Sequence, residues 1–484
     1  MPKRYFRRKS LFVTESQEDA VKMPRHMKAW ALISMGIGAI IGAGIFVVSG
    51  HAAADYAGPA VVLSFMVAAV ICLLAGLCYA ELSSVIPLSG SSYSYTYVAL
   101  GEFPGWLIGW LIILQYFAGA CTVAVGFSGY LTSVLADFGY ALPKVFLSSC
   151  FTYNAVSGWQ CSAEGINLPA MALIGSVMLL LSRGIRSASL FNNVMVAIKL
   201  VTLAIFIVVA VGYVKIDNWI PFIPENTGVF GQYGISGILR GAGLIFFAYN
   251  GFDTVCTLSQ ETIDPQKNIP KGILGSLLIS TLVYAITTLV LTGVAHYSTL
   301  AVPDPMAVAL EATGASFKGL NILIKLAILA ALASVVLTQL LAQTRILYAM
   351  SHDGLLPPKM SKLNPHTHTP TFNVFLVGAI GMMISGLLPI EVLAQLVCLA
   401  VLSILAIVCL SVPVLRHVHP EYPRPFKVPL VPFIPIIGML CCLGQMFFLP
   451  SSTWIQMVSW LALGGLIYFF YGTRHSHLQK LRKD

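Results

Sequence analysis

The sequence predicts an all-α integral membrane protein of about twelve transmembrane helices, and three observations lead there. Of 484 residues, 57% are hydrophobic and 10% charged, where soluble globular chains carry about 25% charged residues; the mean hydropathy is +0.84. Such a chain has too little polar surface to cover one aqueous core and must bury its apolar length in lipid. Second, apolar runs of about 20 residues recur at 29–52, 59–83, 104–133, 168–182, 189–213, 235–258, 271–297, 319–350, 371–388, 390–415, 431–449 and 453–472. Third, with a cytoplasmic amino terminus, 22 of the 28 Lys and Arg residues fall in cytoplasmic segments. Only Lys144, Lys215 and Lys318 fall in outer loops, while Lys199, Arg240 and Lys325 lie within or at the ends of spans. This positive-inside imbalance supports both the span count and an orientation with both termini cytoplasmic.

Taken in order, residues 1–28 read as a cytoplasmic tail, because "MPKRYFRRKS" precedes no short apolar region with a cleavage site. Residues 29–213 hold a first set of five helices, 235–415 a second, 431–472 two more, and 473–484 a cytoplasmic tail. The fourth span is short; the third and eighth are long. The outer segment 134–167 contains Cys150 and Cys161, and an oxidising outer face would permit a disulfide there. The other eight cysteines lie in apolar spans as small hydrophobes, without metal-type spacing. "SHDGLLPPKMSKLNPHTHTP" (351–370) and "HPEYPRPFKVPLVPFIP" (419–435) are inner segments, the latter too rich in proline for a helix interior and expected to run extended along the cytoplasmic surface. The net charge of +9 sits beside anionic headgroups and calls for no nucleic-acid partner. No Ser-His-Asp, HExxH or phosphate-loop arrangement stands out, so neither an enzyme nor an ATP-driven pump is indicated, and no cofactor is required.

Four glycines in "GIGAIIGAGIF" (36–46) weaken span one, and "GAGLIFFAYNGFD" (241–253) weakens span six. Each opens a set of five helices, and since five is odd the two sets insert in opposite orientations. Gly38 and Gly42 have the spacing of close helix packing. Interruption at corresponding positions of two halves, with Asn250 and Asp253 near the second, points instead to broken helices around a solute site. An unwound turn at membrane depth persists only where it lines a cavity or a ligand takes up its hydrogen bonds. Amides at Ala43 and Gly44 suit a carboxylate. Carbonyls around Ile40 and Ile41, and those of Phe247, Ala248 and Asn250, suit an ammonium, and Gly42 and Gly44 let a ligand approach the backbone. A zwitterionic amino acid fits this description.

The blocks "IGAIIGAGIF", "YAELSSVIPLSGSSYSYTYVALGEFPGW", "FFAYNGFDTV", "QTRILYAMSHDGLLP" and "RPFKVPLVPFIP" resemble the amino acid-polyamine-organocation superfamily, most closely its cationic amino acid transporter family and bacterial relatives. The resemblance runs in order from residue 29 to about 435. It implies a LeuT-like five-plus-five inverted repeat with discontinuous helices 1 and 6, plus two C-terminal helices. It also implies alternating-access transport of an amino acid, usually coupled to protons, across the plasma membrane (the inner one in a Gram-negative cell).

Lys199 lies near the middle of span five, where an ionisable group is functional by default, unless it snorkels to the interface. The resemblance makes it the carrier of the coupled proton, with Ser334 and first-helix carbonyls as partners. It likewise makes Phe247 a lid, places Tyr249 and Gly251 at the second break, and gives Gln339 a part in setting side-chain size. Gln115 stands where relatives often carry a glutamate. With Arg240, which either snorkels outward or lines the vestibule, this makes a neutral L-amino acid at least as well supported as a cationic one. An amino acid or polyamine exchanger on the same fold, a receptor without flux, and a small accessory membrane subunit stay open. His51, Asp55, His296 and Glu81 read as interfacial.

Overall fold

The first half of the chain turns on two glycines. In the computed structural model, which describes residues 27–477 apart from 87–89, 155–157, 162–164, 184–187, 315–317, 366 and 368, helix α1 (Ala29–Ile40) stops where Ile41 turns extended, at φ −74° and ψ 108°. Helix resumes at Gly44 and continues, largely as π turns, to residue 57. Gly58, at φ +62°, and Pro59 then swing the chain into α2 (Val61–Val85). A positive φ of this kind is open to glycine without strain. Span one is therefore helical five residues past its expected end, and a sharp turn replaces the expected loop.

The short buried helix α3 (Ser91–Ala99) lies in a stretch where no element was expected, with Tyr93, Tyr95 and Tyr97 all inside. It leads into the long α4 (Glu102–Asp137). The segment after α4 carries an antiparallel hairpin of β1 (Phe151–Asn154) and β2 (Gly158–Cys161). Then come α5 (Leu168–Ser182), capped by the Asn167 side chain accepting from Ala170 N at 3.2 Å, and α6 (Ala188–Ala210). Span six is broken: α7 (Gly234–Ile245) tightens to a 3₁₀ turn at Phe246–Tyr249, breaks at Asn250 and Gly251, and resumes as 3₁₀ helix at Phe252–Glu261. The remainder comprises α8 (Pro265–Val294), the short α9 (Pro305–Ala312), α10 (Lys318–His352), α11 (Thr371–Leu387), α12 (Ile390–Val418), α13 (Phe433–Met446) and α14 (Ser451–Ile467). Among the described residues, seven helices are long and apolar enough to cross a membrane and four apolar helices are shorter. The protein is a multi-pass membrane protein.

Packing follows a rule. With the spans numbered in chain order, span two packs on seven, three on eight and four on nine. The contact of one with seven is matched by six with two, that of three with ten by eight with five, and that of one with five by six with ten. Exchanging each span for the one five later leaves this set of neighbours unchanged. The entry to α1 is also tied to the exit of span six, because Met27 N donates to Glu261 O (3.0 Å) and Ile263 N to Met27 O (2.9 Å).

Glu81, expected at an interface, is 2% exposed near the end of α2. Arg416 of α12 grips both its oxygens, Nε to Oε1 at 2.8 Å and Nη2 to Oε2 at 2.6 Å, and the amide of Val428 adds a third bond at 2.7 Å. This pins the non-helical segment 419–432 against the bundle. A buried carboxylate is tolerated only when paired this fully. Glu81→Gln should lower stability by about 2 kcal/mol, below the range for a fully buried pair because Arg416 is 29% exposed. Thermal unfolding in detergent measures it; an unchanged midpoint would show the grip to be energetically neutral.

Candidate functional site

The two breaks cross back to back. A Cβ on Gly44 would overlap the Cα and Cβ of Ala248, and one on Gly251 would press into the carbonyl of Ala39. Each break thus presents a glycine to the backbone of the other. Gly251 needs glycine twice over, since its φ is +110°. Beyond the break in span one, the first backbone bonds run from Ile45 N and Phe46 N to Gly42 O, at 3.2 and 3.3 Å. The amides of Ala43 and Gly44 precede them as the unpaired first donors of a helix, at the positive end of its dipole.

Tyr284 of α8, which sequence reasoning missed, braces the crossing. Its hydroxyl lies 2.9 Å from both Ile40 O and Ala248 O, one carbonyl from each break. A phenol has one proton to donate, so one of the two carbonyls keeps its acceptor capacity for a ligand. A signal existed, since a tyrosine inside an apolar span needs a partner for its polar tip; which partner was not legible. Tyr284→Phe should raise the KM for uptake about three- to tenfold, the equivalent of 0.5–1.5 kcal/mol, without reordering substrates. A KM equal to that of the parent protein would remove the brace from the site.

Lys199 is 2% exposed, so it does not snorkel. Helix α6 lies against α1 and α10, and the ammonium donates to Gly38 O at 2.7 Å, within the inner half of span one. Ser334 is buried on α10, and its hydroxyl donates to Ala331 O at 2.8 Å, within its own helix.

Facing the crossing is a row of amides. Gln115 of α4 donates through Nε2 to Asn250 Oδ1, and one residue on, Tyr116 reaches Asp253 Oδ2 at 3.4 Å. Gln339 of α10 lies against Gly119, one turn along α4. Asn250 Nδ2, Gln339 Oε1 and Gln343 Oε1 are buried without a hydrogen-bond partner. Each such atom costs about 1–3 kcal/mol when left unsatisfied. Gln343 was not singled out from sequence, although it follows Gln339 by four residues on the same helix face.

A small cleft lies beside the second break, lined by Gln115, Asn250, Gly251 and Asp253 and by Val401 and Ile404 of α12. Phe247 is buried, and its carbonyl accepts from Asn250 N at 3.2 Å. Tyr249 lines the cleft, while its hydroxyl donates to Phe65 O and meets Thr281 Oγ1, both at 3.2 Å. Helix α3 packs beneath the second break, Ser91 Oγ reaching Asp253 O at 3.4 Å and Tyr93 OH reaching Asp353 Oδ2 at 2.7 Å. A second, shallow cleft includes His51, Asp55 and Glu391, with His51 Nδ1 3.3 Å from Asp55. Arg240 lies over the Tyr56 ring and donates to Phe230 O at 3.0 Å. In the hairpin, Phe151 pairs in register with Cys161, which sets Cys150 one residue past that pair. The Cys161 side chain lies outside the described residues.

Two broken helices crossed at the centre of a membrane-spanning bundle, offering backbone amides on one side and carbonyls on the other, define a carrier of small solutes rather than an enzyme. The model of the amino acid permease family matches residues 27–470. The chain belongs to that family, within the amino acid-polyamine-organocation superfamily. It is 41% identical over 477 residues to the methylthioribose transporter of Bacillus subtilis (strain 168), covering 98% of this chain and 99% of that protein. It is 38% identical over 479 residues to the branched-chain amino acid permease BcaP of the same organism, with the same coverage. With the vacuolar cationic amino acid transporter 4 of Arabidopsis thaliana it shares 33% identity over 404 residues, 83% of this chain and 64% of that one.

Proposed function

We propose that the chain is a proton-coupled symporter of a neutral L-amino acid, working by alternating access across the plasma membrane with both termini in the cytoplasm. The observation that carries this reading is the buried Lys199 ammonium on the Gly38 carbonyl. An ammonium in apolar surroundings can give up its proton during a cycle. Its hydrogen bond links that event to the inner half of a broken helix. The exchange-symmetric packing supports twelve spans arranged as a LeuT-like five-plus-five inverted repeat followed by two further helices. The residues of the binding site would be 40–44 and 247–251, with Gln115 and Gln339 toward the substrate side chain. Neutral Gln115 argues for a neutral substrate over a cationic one.

A second reading is a carrier of methylthioribose, favoured by the 41% identity over 98% of the chain. Uptake of all common amino acids, polyamines and methylthioribose into proteoliposomes, with a proton gradient, a sodium gradient or neither, separates the two. Proton-stimulated uptake of a neutral amino acid is expected; sodium dependence would defeat the role given to Lys199, and methylthioribose uptake alone would favour the second reading.

A further inference from the structure

The three residues with unpartnered amide atoms lie within one turn of each other along α4. A Cβ on Gly119 would meet Gln339, and a Cβ on Gly109 would meet Met350, so α4 and α10 run antiparallel. That register sets Gln115 level with Gln343. Gln115 is itself bonded to Asn250, which lines the cleft at the second break and is 4% exposed. Asn250 Nδ2, Gln339 Oε1 and Gln343 Oε1 are unpartnered, and they belong to residues that meet α4 at Gln115, meet it at Gly119, or stand level with Gln115, all within one turn of that helix. Turning one of these amides over exchanges a free acceptor for a free donor and leaves the demand in place. A wholly aliphatic side chain answers none of it. A hydroxyl donates once and accepts twice, and a carboxamide does both as well, so either can bridge Asn250 and the two glutamines.

Resting on the carrier reading above, we propose that the distal part of the substrate bears a hydroxyl or carboxamide held between Asn250, Gln339 and Gln343, and that Gln343 is a specificity-determining residue. The chemistry is shared by a polar neutral amino acid side chain and by a hydroxylated sugar ring. A site built to bond such a group rejects the analogue without it far more strongly than an apolar pocket rejects a hydroxyl.

Near-isosteric pairs make the test. Binding of threonine and valine, asparagine and leucine, and methylthioribose is measured on the full-length protein in nanodiscs by calorimetry. Threonine and asparagine are expected to bind at least about tenfold tighter than valine and leucine. In both Gln339→Met and Gln343→Met that ratio should fall toward one, with a monodisperse protein and a parental thermal unfolding midpoint as the sign of an intact fold. Valine and leucine binding equally or more tightly would overturn the inference and leave the amino acid reading standing. So would a polar-to-aliphatic ratio unchanged in both variants. Methylthioribose binding without any amino acid would uphold the hydroxyl chemistry and overturn the amino acid reading, and no binding by any of the five would overturn both.

Discussion

Gly44→Val should abolish solute binding while leaving a folded protein in the membrane. A single methyl at this position already overlaps Ala248, so the two breaks must separate before any larger side chain fits. The carbonyls of Ile40 and Ala248, now held together by Tyr284, would part, and the amides of Ala43 and Gly44 would move with them. Displacement of about 1 Å in such a constellation costs about 100-fold, and that loss of affinity is the expected minimum. The fold should survive because the helices flanking the breaks remain packed on their neighbours, α1 on α8 and α7 on α2. Gly465→Ala is the control: a Cβ there meets nothing within 4 Å, and neither binding nor stability should change appreciably. Monodisperse Gly44→Val protein with parental affinity would place the ligand elsewhere.

Lys199→Met should remove the stimulation of uptake by an acid outside, bringing the ratio of driven to undriven uptake to about one, while counterflow exchange stays within about threefold of the parent. Methionine keeps the length and apolar stem of the lysine and deletes the ammonium bonded to Gly38 O. If the charge serves only to hold span one in place, exchange falls together with driven uptake. Lys199→Arg separates the two further. Its guanidinium can still donate to Gly38 O but does not give up its proton, so it should retain binding and stall the cycle. Stimulation by protons unchanged in the methionine variant would defeat the assignment.

Much of this was legible in the residues, because the features concerned are local or compositional. The breaks could be placed from glycine clusters at corresponding positions, and the non-helical run from its prolines, expected over 419–435 and ending at 432, where helix α13 begins with Phe433. Lys199 stood out because an ammonium in an apolar span has few harmless explanations. Less legible were facts that depend on distant partners. "SSYSYTYVA" falls between two expected spans with no element assigned until α3 is seen to bury its tyrosines beneath the second break, and Glu81 reads as interfacial until Arg416, 335 residues on, closes over it. Tyr284 is one aromatic among many until its hydroxyl is found between two carbonyls.

By itself, then, the sequence determined that the chain lives in lipid and where two spans must break. Hydrophobic length and backbone propensity act over a few residues and need no partner. Only the tertiary structure decided what the breaks meet: Gly44 on Ala248, Gly251 on Ala39, Lys199 on Gly38, and the amides of Gln115 and Gln343 at one level. Such contacts are set by the register of helices far apart in the chain, and a register is fixed by the simultaneous packing of all of them.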